Sequence, residues 1–466
     1  MKKFFWGGFF ILLCIVGCWF LFRPEREAEA DSLYHVYDQI KLGQVEVKNF
    51  KSMGFTHGEM SFSPDGTKLA LGSEDGKFFM YDLAKKKIIW RKRLGIGRVT
   101  SLLFSPDGEL IYLGETSPEG KIYCLKAASG KEIWQTSVLP ELGHDLAKKL
   151  YPQVISLCLD QKNHLFVSGL RFDRIKKKLK YNSRIYCLAA DTGKKIWLYP
   201  KTHNADFWVG HMSLLDNGKK LILGTSNYIS GRTAEYNQHL YTVDVLNGNL
   251  LWAKTFDILP DANNVNIRSG PQVSEDTHKM VIFPSDGRLY CLDSSGQVLW
   301  MKHICQSKEV QGVRLNSGGR YAYWLGGQVI AGTGNTFDNG NWQLPTPIEH
   351  PNGNTLFAYD ALGKLLWRWK AGGALEKMDY NRSYIWMPVG RNNQSEDFSV
   401  HGGYLIDYNA QGKEVYYYQT EGPGIVGAVS PDSQYLALLE APIQLDDGVT
   451  VIGEHKLHIL ERSKKK

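Results

Sequence analysis

The sequence has no CxxC, no CxxCH and no adjacent cysteine pair. Of its seven cysteines, Cys14 and Cys18 lie in an N-terminal apolar run, and Cys124, Cys158, Cys187, Cys291 and Cys305 are scattered singly. That spacing disfavours a disulfide framework, a zinc site, covalent haem and a thioredoxin-like centre. HExxH, GxSxG and P-loop motifs are missing too, which removes the usual signatures of zinc proteases, α/β-hydrolases and P-loop nucleotide enzymes. His57, His144, His203, His211, His278, His350 and His401 show no metal-ligand spacing. Charge of one sign is scarce: 55 basic against 48 acidic residues leave +7. That balance permits attraction to anionic lipid or an acidic partner but is no nucleic-acid signature.

Long hydrophobic runs are limited to one. Lys2 and Lys3 precede an uncharged stretch from Phe4 to Phe22, close to the length that spans a bilayer core as a helix. As a signal anchor it would keep both lysines in the cytoplasm and the body outside. Ile15-Val-Gly-Cys18 also fits a lipobox, which makes Cys18 a candidate lipidation site after cleavage; a plain cleaved signal is the third reading. All three export the body. The expected organisation is residues 1–22 as anchor or lipoprotein signal, 23–33 as a charged tether, 34–460 as the folded body and 461–466 as a basic tail.

What the chain has in quantity is glycine, 47 residues, and a repeated hairpin. Ile185-Tyr-Cys-Leu-Ala-Ala-Asp-Thr-Gly-Lys-Lys-Ile-Trp197 reads as strand, tight turn, strand, with Asp191 and Gly193 supplying turn chemistry. Ile196 and Trp197 are expected to bury the second strand. The pattern recurs at 79–90, 122–134, 240–252, 289–300, 356–367 and 404–416, where Tyr416 stands in place of Trp. Ahead of each hairpin are two short apolar strands joined by a polar turn, as in Ser63-Pro-Asp-Gly66 and Ser105-Pro-Asp-Gly108. Each unit is therefore four antiparallel strands, A to D, and such repeats of 40 to 60 residues mean propeller blades. Seven units are complete. An eighth has A and B near 427–439 and C at 456–460 but no D. The N-terminal pair Tyr34-His-Val-Tyr-Asp38 and Val45-Glu-Val47 is expected to complete it. The expected fold is all-β, an eight-bladed β-propeller, with seven blades as the alternative, preceded by a membrane helix or signal segment.

The hairpin at 189–197 resembles the quinoprotein-type (PQQ-like) repeat, and its relatives cover roughly residues 34–460. The Ser-Pro-Asp-Gly turns resemble those of WD40-like propellers. A weaker resemblance is to the propeller lipoproteins of the outer-membrane barrel-assembly machinery. In quinoprotein-type propellers the Trp ending strand D docks on the neighbouring blade, which implies structural staples at Trp90, Trp134, Trp197, Trp252, Trp300 and Trp367. Gly332-Thr-Gly-Asn335 is similar to the stretch in which quinone-dependent dehydrogenases place a calcium-binding Asn beside the cofactor. That makes Asn335 a candidate cofactor residue, with PQQ and calcium as the cofactors of the alternative function.

In such a meander the A–B and C–D turns share one face, and the B–C and D–A connections the other. The insertions at 138–152, 171–183, 227–239, 257–266, 335–354, 390–402 and 441–455 are all of the second kind, so one face is elaborated, and long loops on a rigid scaffold are where binding tends to reside. Candidate partner-binding residues are Arg171, Phe172, Arg174, Lys176, Lys177, Lys178 and Tyr181 in the basic insertion, with Trp342 and His350 in another. Cys124, Cys187 and Cys291 share one strand-C position and are expected to fill core. The expected function is an exported, membrane-tethered, monomeric propeller that binds an envelope protein through its loop-rich face, without cofactor, metal or catalytic residues; the alternative is a PQQ- and calcium-dependent oxidoreductase.

Overall fold

The computed structural model describes residues 32–42, 59–73, 76–94, 98–175, 178–226, 239–259, 265–337, 348–390, 401–444 and 449–464. These form eight four-stranded antiparallel sheets and two small hairpins. The sheets are the blades of a propeller. Blades 1 to 7 follow one another along residues 59–93, 99–137, 153–199, 208–254, 272–303, 319–370 and 379–419. Each is a simple meander, so strand order in space equals strand order in sequence.

Blade 8 is split. Its A, B and C strands are Gly424–Val429, Tyr435–Glu440 and Lys456–Arg462, and its D strand is Tyr34–Lys41. Tyr34 pairs with Arg462 and Lys41 with Lys456, across a bulge between Val36 and Asp38. One strand completes the blade where a strand pair was expected; Val45–Val47 lies outside the described residues. Closure leaves no sheet with a missing strand, which removes the unpaired edge that an open ring would expose.

The repeated residues explain the packing. B and C strands carry runs such as Leu69-Ala-Leu71 and Ile122-Tyr-Cys-Leu125, buried on both faces because each blade is sandwiched between two others. Cys124, Cys187 and Cys291 are buried free thiols in these strands, their pKa values pushed up by burial to about 11, 12 and 11. Strand D is half-buried. Its Trp turns inward while its neighbours face solvent. Ile196, expected to be buried with Trp197, is instead 48% exposed. A bulge before each Trp sets this geometry, as between Cys187 and Leu188, where Cys187 pairs with Trp197 and Leu188 with Lys195.

Blade-to-blade contact is made by that Trp. The ring of Trp134 lies on Gly193 of blade 3 and its indole N–H donates to the Ala190 carbonyl, 3.0 Å away. Trp197 repeats this with Gly248 and the Val245 carbonyl at 2.8 Å. The rings of Trp90, Trp252, Trp300 and Trp367 lie on Gly130, Gly296, Gly363 and Gly412; Trp90 and Trp300 donate to the Ala127 and Ala361 carbonyls and Trp367 to the Gln328 side chain, while the Trp252 N–H has no partner among the described residues. Each of these glycines has positive φ, and a Cβ on Gly193 would sit 2.4 Å from the Trp134 ring. The glycine is required twice, by backbone angle and by the close approach of the indole.

Replacing Trp197 by Ala should lower stability by about 3–5 kcal/mol, the usual cost of emptying a large aromatic site. Gly193→Ala should also destabilise, because the ring must shift. Thermal denaturation followed by circular dichroism measures both, and an unchanged midpoint in either variant would refute the docking role.

Candidate functional site

The described connections of the B–C and D–A kind lie on one face of the ring. The opposite face carries only short turns, in which A–B and C–D turns bond each other: Leu83 N–H to the Thr67 carbonyl, Ala127 to Glu109 and Ala190 to Asn163. On the elaborated face the largest described feature is an extension of blade 3. His164–Ile175 and Lys178–Ala189 are twelve-residue strands paired in register to Ile175–Lys178. The basic insertion is therefore a β-hairpin standing out from the blade.

The base of this hairpin is tied together by one carboxylate. Arg171 donates to Asp173 at 2.7 Å, Asn182 donates to the same carboxylate at 2.6 Å, and Phe172 and Tyr181 lie 5.2 Å apart. Tyr181 is buried. Arg174 and Lys178 belong to the paired strands, while Lys176 and Lys177 lie outside the described residues. Beside the hairpin is the short helix Leu139–Leu142. Its Glu141 holds Lys195 at 2.7 Å, and its carbonyl takes the Asn204 amide, which in turn accepts from Arg184 at 2.8 Å. Blade 3 thus presents a braced arm.

The other candidates separate. Trp342 lies outside the described residues. His350 is wholly buried, with its backbone N–H on the Thr336 hydroxyl, its Nε2 2.9 Å from the Gln306 carbonyl and its Nδ1 accepting from Asn352 N–H. Burial, foremost, lowers its pKa. This places His350 inside the fold, where it pins the connection between blades 5 and 6 and offers no surface to a partner. Sequence reasoning also missed part of this face. Lys308–Val310 and Val313–Leu315 form a small hairpin between blades 5 and 6, too short to show a periodic pattern.

Asn335 lies two residues beyond strand B of blade 6, which ends at Thr333. Its side-chain oxygen is buried without a hydrogen-bond partner among the described residues, as is that of Asn354. Calcium takes six to eight oxygen ligands, carboxylates prominent among them. Two neutral amide oxygens fall short of that, and among the described residues no three His, Cys, Asp or Glu gather where a metal ion could sit. The described donor set does not fit calcium with a quinone beside it.

The central channel is lined from strand A, where sequence patterning is weakest. Arg320 pairs with Glu376 at 2.6 Å and Lys377 with Glu59 at 2.5 Å. His211 Nε2 accepts from Gln272 at 3.0 Å, an arrangement that suits the neutral ring. Burial, with Lys377 adding to it, lowers its pKa to about 4. Asp379 accepts the Val429 N–H at 2.9 Å, yet burial raises its carboxyl to about 6. Around the outside, Ile133, Ile196, Leu250, Leu251, Val298 and Leu366 leave an exposed aliphatic belt along the D strands of blades 2 to 6.

Among known families, residues 81–255 and 118–337 match the one described as outer membrane protein assembly factor BamB. Among solved structures the chain is similar to BamB from Moraxella catarrhalis (TM-score 0.55, 14% identity, covering 92% of this chain and 99% of that one). It is also similar to quinohemoprotein alcohol dehydrogenase from Comamonas testosteroni (0.58, 13%, 92% and 76%) and to the Dos1 propeller (0.54, 13%, 92% and 95%). At such identities the likeness is one of fold. No curated protein sequence matches the chain.

The two channel groups should oppose each other in acid. A raised carboxyl contributes stability that is full below its unfolded pKa and is lost as pH climbs through about 6. A lowered imidazole contributes above its unfolded pKa and loses that contribution as pH falls through about 4. Asp379→Asn should therefore steepen the fall in melting temperature from pH 6 to 4, and His211→Gln should lessen it. Parallel profiles for wild type and both variants would count against these shifts.

Proposed function

The chain belongs to the family of the outer membrane protein assembly factor BamB, the matches spanning residues 81–337 and so more than half of its length, and from that premise we propose that it is an exported, membrane-tethered propeller that holds a protein partner in the cell envelope through its loop-rich face. The observation that carries the reading is the asymmetry of the ring. Insertions gather on one face, and the largest described one, the arm of blade 3, is a rigid ladder braced at its base. A rigid arm loses little conformational freedom on binding, which favours it as a recognition element. Its tip, Arg174-Ile-Lys-Lys-Lys178, suits a partner with an acidic surface.

The point where the chain enters the ring adds an orientation. Ser463 N–H bonds the Leu33 carbonyl at 2.9 Å, and the Tyr34 hydroxyl donates to the Ser433 carbonyl in the A–B turn of blade 8 at 2.6 Å. Residue 33 therefore emerges on the short-turn face. With residues 4–22 in or on the membrane, the tether 23–33 spans at most about 40 Å, and the arm points away from the bilayer. In this reading the plain face is turned to lipid and the elaborated face to the partner.

Immobilised residues 33–466 should capture an envelope protein, and joint reversal of Lys176, Lys177 and Lys178 to Glu should cut capture at least tenfold. Lys194→Glu, on a turn of the opposite face, should leave it unchanged. Equal loss in both would refute the loop-face reading. Adding PQQ with calcium should produce neither the cofactor's absorbance nor a rise in melting temperature; a saturable rise would favour the oxidoreductase instead. Labelling cells with a lipid precursor, with Cys18→Ala as control, decides how the tether is held: incorporation lost in the variant means a lipoprotein.

A further inference from the structure

Seven of the eight seams between blades carry an aromatic ring at one position of strand D: the six Trp, and Tyr416 of blade 7, which packs against Tyr34 at 5.3 Å. Strand register identifies the equivalent residue in blade 8. The bulged residue is Tyr37, and the next one, paired with Ile459, is Asp38. The staple is absent at the seam between blades 8 and 1. Its counterpart in blade 1 has changed with it. The turn residue with positive φ is Lys86 and not Gly. A side chain fits there because no indole covers the site. Tyr37 takes over part of the lost role, its hydroxyl donating to the Leu83 carbonyl and its ring lying 3.7 Å below the Lys86 ammonium.

A cavity of about 370 Å³ lies along this seam, its floor made by Ile40, Leu42, Phe78, Phe79, Ile425 and Leu439. Lys41, Lys77, Arg91, Lys92 and Arg93 also line it, and among the described residues no Asp or Glu does. Lys41 is held by Glu454 and Lys92 by Glu132, at 3.1 and 3.0 Å. Arg91 and Arg93 have no ion-pair partner among the described residues. The nearby carboxylate of Asp38 is engaged by the Tyr81 hydroxyl at 2.5 Å. The size is that of a small-molecule pocket, apolar with a few polar groups placed at its edge.

We propose that this seam is a binding site for a free single-chain anionic lipid, a medium- or long-chain fatty-acid carboxylate, whose acyl chain lies on the Ile40–Phe79–Leu439 floor and whose carboxylate pairs with Arg91 and Arg93. The apolar floor selects the chain. The two unpaired guanidiniums select the charge, since Arg presents a planar fork matched to a carboxylate. The volume admits one chain and not the two of a phospholipid.

The described propeller closes within residues 34–462, so residues 33–466 serve for the test. Titration with 11-(dansylamino)undecanoic acid should give saturable fluorescence enhancement with one site per chain. Dodecanoate should displace the probe, and dodecanol should do so at least tenfold less well. Arg91→Glu with Arg93→Glu should weaken binding at least tenfold; Ile40→Trp, which fills the groove, should abolish it, with the circular dichroism spectrum unchanged in both. Ile133→Asp on the outer belt should have no effect. Absence of saturable binding overturns the proposal, as does binding undiminished in the groove variants. Flotation with phosphatidylglycerol vesicles that is lost in the Arg variant, without probe binding, overturns it in favour of a bilayer surface. Binding seen only after residues 43–58 are replaced by a Gly/Ser linker overturns it in favour of the chain's own segment as occupant.

Discussion

Ring closure is the constraint on which the remaining structure rests. Seven blades are built from residues adjacent in sequence, but the eighth exists only because Tyr34–Lys41 pairs with Lys456–Arg462. Without that pairing, blade 8 would present a bare C strand, and the Tyr34 ring that receives Tyr416 would be gone. The pairing also fixes the face of the ring on which residue 33 emerges. Architecture and orientation follow from one antiparallel ladder.

Around the ring, identical contacts are repeated with small changes, and the changes are informative. Trp on glycine is a strict pair: the indole needs the missing Cβ, and the turn needs positive φ. Where the splice between N- and C-termini falls, both members of the pair are replaced, Trp by Asp38 and glycine by Lys86. A repeat protein is stabilised by nearest-neighbour interfaces, so relaxation of one interface is tolerated while the others hold. The seam at the splice also holds the cavity between blades 8 and 1. The arm of blade 3 is different in kind: it adds material beyond the blade without altering any seam.

Much of the architecture was legible in the sequence because it is written many times over. The Asp-x-Gly turn, the terminal Trp and the Ser-Pro-Asp-Gly turn gave blade count and strand order, and they gave the face on which insertions collect. What was not legible depends on single residues in three dimensions. Asp38 occupies a Trp position only once the bulge at Tyr37 is known, since a bulge shifts register by one. His350 reads as an exposed loop residue, but its three hydrogen bonds place it inside. The stretch 171–182 reads as a loop because of its charge, yet its backbone continues the ladder; polar strands on a protruding hairpin lack the alternation that a buried face imposes. The channel residues His211 and Asp379 were invisible as a pair, because strand A carries little pattern and they lie in blades 4 and 7.

The splice also imposes an order on folding. Tyr34 belongs to the first blade strand along the chain, and its partner Arg462 to the last. Contacts of such sequence separation form late, because the loop they close must first be ordered. Blades 1 to 7 can form as the chain emerges, each docking on the one before it. The strand Tyr34–Lys41 must wait, unpaired, until Lys456–Arg462 arrives. Its own residues suit that wait: Asp38, Gln39 and Lys41 interrupt the apolar pattern, and charged or polar residues on a waiting strand discourage pairing with other chains. The ring therefore closes last, once the strand Lys456–Arg462 has been made.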